Sequence, residues 1–258
     1  MKILSEIAQD RYAKEVLWAL QESIDNAANN PLLTKLQCGT LSLREFGFTA
    51  KVRLDAATNF IPFLSATEEK TRKELGWDEM ASALRQNLNE ELGLENGIYQ
   101  SELDHDVWRD RFRSGLSTSL RVEGIMLDDI DDADTTHEIG ILYGEKLKKM
   151  PTDKPLATLA GAFTVLEGVL EKEFSAILAY TKAHLKDLTS DELRYIAHHA
   201  GHEHRHFHEA AVPLLRKCTT SPHIIPDVIE GIRDMEKLRL RNVLGHIDMN
   251  LWKAAPKK

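Results

Sequence analysis

A chain of 258 residues in which 42% are hydrophobic can build a sizeable core, as one large domain or two small ones. Acidic residues outnumber basic ones 41 to 33, for a net charge of −8, and no lysine- or arginine-rich stripe runs beside aromatics, which argues against a nucleic-acid partner. The two cysteines, Cys38 and Cys218, stand far apart and outside any C-x-x-C pattern, excluding a disulfide framework or a thiolate zinc site and fitting a reducing compartment.

MKILSEIAQDRY has no apolar leader, and no run of 18 apolar residues follows, so neither a targeting signal nor a membrane partner is expected and the location is read as cytoplasmic. Residues 4 to 28 repeat apolar side chains at helical spacing (Ile7, Tyr12, Val16, Leu20, Ile24), predicting a first helix stopped at Asn29-Asn30-Pro31. After a short segment, Ser42 followed by Glu45 has the pattern of a capping box. A second helix is expected to open there and run through Phe46, Val52, Leu54 and Phe60 towards Pro62. A third begins near Trp77 and Asp78 and carries Met80, Leu84 and Leu88 to a stop at Gly93. GLENG, residues 93–97, reads as a break, and QSELDHDVWRDRF starts the next helix.

The acidic stretch 128–138 reads as a solvated loop, because it lacks the glycine and terminal glutamate spacing of a calcium loop, and it leads into a helix over 135–149. A long helix follows from Pro155, in the first turn where proline is tolerated, to about His184. TSDE, residues 189–192, caps a helix over LRYIAHHAGHEHRHFHEAA, and SPHIIPDV leads into a last helix over 226–252. No segment alternates like a strand for long. The expectation is an all-α architecture of about eight helices without internal repeats.

Six of the eleven histidines fall between His198 and His208. At about 100° per residue, His199, Glu203 and His206 lie within about 60° of one another on a helix. Two imidazoles and a carboxylate on one face form half of a transition-metal site, while His204 and His208 point away. The competing reading is a surface helix that happens to be rich in histidine.

Other helices must supply the rest of such a site. Glu167 sits mid-way along an apolar stripe of Leu156, Ala160, Phe163, Leu170 and Phe174, where an ionised carboxylate is penalised unless paired or bound to a cation. Glu91 shares its helix face with Leu84 and Leu88, whereas Glu90 shares its own with Gln86 and Asn87, so Glu91 is read as the inward acid. His105 has Trp108 and Phe112 on its face, and a core histidine is the rival reading there. Glu102 with His105, and Glu203 with His206, each spell E-x-x-H, an element of di-iron bundles that charge-rich helices also produce by chance.

These residues together resemble the haem-oxygenase-like di-iron oxidases and oxygenases, all-helical proteins related in fold to the thiaminase-like proteins. NPLLTKLQCGTLSLREF is similar to the family's opening, N-L-N-E-E-L-G with a following histidine to its first metal helix, and H-x-x-x-D/E-x-x-H to its last. The resemblance implies one haem-oxygenase-like helical domain over residues 1–258, with Glu91, His105, Glu167, His199, Glu203 and His206 as ligands to two iron ions, or manganese. It further implies that O2 is activated to oxidise or cleave a small carboxylate- or amine-bearing metabolite, an amino acid or a fatty acid, and that the protein is a homodimer. Glu203 stands where the family most often has aspartate, and the gap from Glu91 to His105 is longer than usual, leaving Glu102 as a competitor for the first carboxylate. His202 is a candidate to support the ligands or carry a proton, and Arg205 to neutralise a substrate carboxylate. The alternatives on the same scaffold are a metal-free thiaminase-like enzyme, with Cys218 its available nucleophile, and a cofactor-free oxidase or binding protein.

Overall fold

Asp10 accepts hydrogen bonds from the N–H groups of Tyr12 and Ala13, at 2.9 and 3.1 Å, and so opens helix α1 (Arg11–Ala28). The computed structural model describes residues 7, 9–127 and 133–239, and of residues 133–142 and 203 the backbone alone. The short segment after α1 is itself a helix, α2 (Pro31–Gln37), with Asn30 as its cap and Pro31 in its first turn. Ser42 and Glu45 close the expected capping box at the start of α3 (Leu43–Ala57).

The second helix does not continue to Pro62, as its apolar pattern suggested. The ring of a proline inside a helix clashes with the carbonyl four residues back, here Thr58, and the chain breaks at Thr58 and Asn59. It restarts as α4 (Phe60–Lys73), where Pro62 falls in the tolerant first turn. Helix α5 (Asp78–Glu91) ends at Gly93, whose φ of +62° is the left-handed conformation that glycine adopts freely. The expected break then holds a two-stranded hairpin, β1 (Leu94–Glu95) against β2 (Ile98–Tyr99). Asn96 and Gly97, both at positive φ, form its turn.

Five more α-helices complete the described chain: α6 (His105–Val122), α7 (Ala133–Asp153), α8 (Leu156–His184), α9 (Arg194–Thr220) and α10 (Ile225–Arg239). Ten α-helices therefore stand among the described residues, the expected eight plus α2 and the second product of the break at Asn59. Residues 128–132 of the acidic stretch, and the end of the last helix beyond 239, lie outside the described residues.

Every residue from Leu156 to Leu170 is buried, so α8 is the axis of the fold. Helices α9 and α10 pack along it, with α1 and α2 against further faces. Helices α3 to α6 complete the wall, and their apolar residues join one core with those of α8 to α10. Among the described residues no helix is long and apolar enough to cross a membrane.

Candidate metal centre

The end of α5, the start of α6 and the middle of α9 meet against α8. Gly93 turns the chain, the hairpin brings it back, and Asp104 caps α6 by accepting from Asp106 N–H at 2.8 Å. That loop places His105, the first residue of α6, beside Glu91, the last of α5, with Nδ1 3.0 Å from Oε2. His199 of α9 presents its ring almost perpendicular to that of His105, 4.9 Å away. Glu91, His105 and His199 are all buried, and one donor atom from each lies within 4.8 Å of the others.

Aromatic packing fixes both imidazoles. Trp108 stacks on His105 at 4.6 Å, and Phe174 stacks on His199 at 4.5 Å and 15°, with Tyr195 edge-on at 4.6 Å. Glu102 is exposed and precedes α6, and its backbone carbonyl accepts a hydrogen bond from the Trp108 indole. Glu91 rather than Glu102 is thus the carboxylate that meets His105.

A second group forms about two turns further along α9. His206 is buried with Nδ1 3.9 Å from Glu167 Oε2, and Glu167 is fully buried as its place in the apolar stripe required. Asn87 donates from Nδ2 to Glu167 Oε1 at 3.0 Å, while its buried Oδ1 has no hydrogen-bond partner among the described residues. Glu90, expected to face outward, is instead half-buried and 3.0 Å from His206 Nε2. The reason is tertiary: α9 covers the end of α5, so Asn87 and Glu90 lie under it while Glu91 turns to α6. Burial opposes the charge on Glu90, but the hydrogen bond and charge of His206 and the charge of Arg205 outweigh it and hold its pKa down at about 2. The sequence carried no signal for Glu90: the face it shares with Gln86 and Asn87 reads as polar, and only the cover from α9 turns it inward. The side chain of Glu203 lies outside the described residues.

The neighbouring expectations divide. Arg205 is exposed and pairs with Glu90. His202 is exposed and stacks on His198 at 4.1 Å, away from the donor atoms. Burial and the nearby His105 and His199 push the pKa of His198 down to about 2, so its ring stays neutral. His204 is exposed and 3.6 Å from Glu171, as its outward direction implied.

A narrow cavity of about 20 Å³ touches Glu91, His105 and His199 and is walled by Leu166, Leu170 and Tyr195. It is also lined by Arg53 and Arg239, which share the buried Glu173. Burial works against the charge on Arg239, yet Glu173 and Tyr143 beside it keep its pKa above the usual guanidinium value.

The arrangement of helices has close parallels among solved structures. A TenA homologue from Pseudomonas syringae pv. tomato superimposes with a TM-score of 0.66, covering 93% of each chain at 14% identity. A cadd-like protein of unknown function from Nostoc punctiforme follows at 0.62, covering 93% of this chain and 99% of its own, also at 14% identity. A domain of unknown function with a heme oxygenase-like fold from Shewanella denitrificans gives 0.58 over 93% and 90% at 12% identity. The chain has the haem-oxygenase-like fold. At these identities it is the fold that is shared, and no family model matches the chain. A stretch of 94 residues, 36% of the chain, is 32% identical to imidazoleglycerol-phosphate dehydratase of Staphylococcus carnosus; the match spans 48%, about half, of that enzyme's length.

On this haem-oxygenase-like scaffold the donor set fits a metal ion. A buried carboxylate and two buried imidazoles are borderline O and N ligands that a divalent first-row metal accepts while keeping positions open. Asn87 Oδ1 adds a buried neutral oxygen in the group around Glu167.

Proposed function

We propose that the chain is a non-haem iron oxidase or oxygenase that uses O2 to oxidise or cleave a small carboxylate- or amine-bearing metabolite. The convergence of Glu91, His105 and His199 within 4.8 Å in the core carries this reading, because two histidines and one carboxylate with open positions suit ferrous iron. These three residues would hold the first ion. Glu167 and His206, with Glu90 or Glu203, would hold a second, and manganese is the alternative metal. Bound there, ferrous iron supplies the electrons that turn O2 into an oxidant strong enough to attack an unactivated C–H or C–N bond. The protein's part is to position and to exclude. Phe174 and Trp108 hold the two imidazoles, and the apolar wall of Leu166 and Leu170 keeps bulk water from the donors.

Anaerobic reconstitution with Fe(II), followed by metal counting and rapid mixing with O2, tests the reading. About two irons per chain and an optical transient that appears only with O2 are expected, and His199→Ala should lose both. Absence of stoichiometric iron would overturn it. The second reading, a metal-free thiaminase-like activity, draws support from the likeness to the TenA homologues. Its candidate nucleophile, Cys218, is buried with its thiol pushed up to about 12 by desolvation, which disfavours the reactive thiolate.

A further inference from the structure

We propose that the cavity beside the metal donors binds the carboxylate of a small organic acid through Arg53 and Arg239. This names the charged end of the substrate and rests on the function proposed above for the chemistry, though not for the binding. Two guanidinium groups meet one carboxylate here. Arg53 is 7% exposed, Arg239 1% and Glu173 1%, so the trio carries one positive charge in excess, shielded from water. Arg239 takes Glu173 in a two-pronged grip, Nε to Oε1 at 3.1 Å and the second nitrogen to Oε2. Arg53 is left with the poorer share: its Nε is 3.1 Å from Glu173 Oε2 but out of line, and that buried N–H makes no hydrogen bond among the described residues.

The excess charge faces the metal donors, since Arg53 and Arg239 line the same cavity as Glu91, His105 and His199. The other charged groups on the cavity are paired among themselves, Glu91 with His105 at 3.0 Å and Asp106 with Arg109 at 2.7 Å. The Arg53 guanidinium lies 4.5 Å over the Phe174 ring, whose stack on His199 at 4.5 Å sets the arginine one ring's width from a donor imidazole. A single surplus charge matches a monoanion, and a planar carboxylate suits a guanidinium edge. An amine at this end would be repelled. The cavity, about 20 Å³, has room for one water-sized group, so Phe60 and Ile61, half-buried on its wall, must swing to admit an acid, which favours a slender chain.

Calorimetric titration of the metal-free protein with hexanoate, hexylamine and hexanol tests this. Hexanoate should bind at least tenfold more tightly than the other two. Arg53→Leu leaves the Arg239–Glu173 pair balanced and should weaken hexanoate at least tenfold, while Arg53→Lys, which keeps the charge, should lose less. The proposal falls if hexanoate does not bind the wild-type protein, if hexylamine or hexanol binds as well, or if Arg53→Leu binds hexanoate like wild type. Should the leucine variant fail to fold, the ligand series and Arg53→Lys still decide. Because no metal is present, a carboxylate result stands even where the iron count is zero, and a protein that takes up iron but ignores hexanoate sinks this proposal alone.

Discussion

Glu173 neutralises one of two guanidiniums in a part of the core that water does not reach, with Glu173 and Arg239 each 1% exposed. Removing it strands two buried cations, and such losses run to about 3–5 kcal/mol. Glu173→Ala is expected to fall in that range by urea unfolding, with Glu173→Gln milder because an amide oxygen still accepts a hydrogen bond. A loss below about 1 kcal/mol would mean that another group takes over the pairing. Nothing in the run of charges at residues 171–173 marks Glu173 out, since its partners come from Arg53 and Arg239, far away in the chain. Glu167 was legible because a lone acid in an apolar stripe has only a buried place to go. Glu90 was not: Leu84 and Leu88 set the inward face of α5, but α9 decides what covers its end.

Helices α8 and α10 cross where neither has a side chain. A Cβ on Gly231 would lie 1.8 Å from the Thr158 carbonyl oxygen, and one on Gly161 would lie 2.2 Å from that of Val228. Both obstacles are backbone, so no rotamer change relieves them, and the helices must part. Gly231→Ala should therefore destabilise by about 3 kcal/mol or more, and it should also draw Arg239, two turns on along α10, off Glu173. Gly201 on α9 is the control: it is exposed with nothing near its would-be Cβ, so Gly201→Ala should be neutral or stabilising by up to about 1 kcal/mol. Thermal melts of opposite sign for the two variants bear this out, and a stabilised Gly231→Ala refutes the crossing. Helix beginnings were readable at Ser42, Glu45 and Pro155, but TSDE misled: Thr189 and Glu192 bond each other in the turn before α9, which opens at Arg194 after Leu193 with no side-chain cap. The break at Asn59 was concealed by an apolar pattern that runs straight through it. The hairpin at Asn96-Gly97 was read only as a break, because its two-residue strands are too short to show alternation.

At the scale of the molecule, the candidate donors cross-link helices that meet only on folding: Glu91 closes α5, His105 opens α6, and His199 sits on α9. An unfolded chain holds them too far apart to chelate, so a metal that binds there binds the native state almost alone. Linkage then fixes the outcome: at a hundred times its dissociation constant, such an ion adds about 2.7 kcal/mol to the unfolding free energy. Fe(II) under argon, or Mn(II), should raise the melting midpoint of the purified protein in a concentration-dependent way, and Mg(II), which prefers oxygen ligands and retains its water, should raise it little. Each variant is compared with its own metal-free form, because substituting a buried histidine lowers stability by itself. On that basis His199→Ala should abolish the shift. His206→Ala should keep part of it if the two groups of donors hold separate ions. An undiminished shift in His199→Ala would place the ion elsewhere and detach the buried Glu91–His105 pair from any metal role.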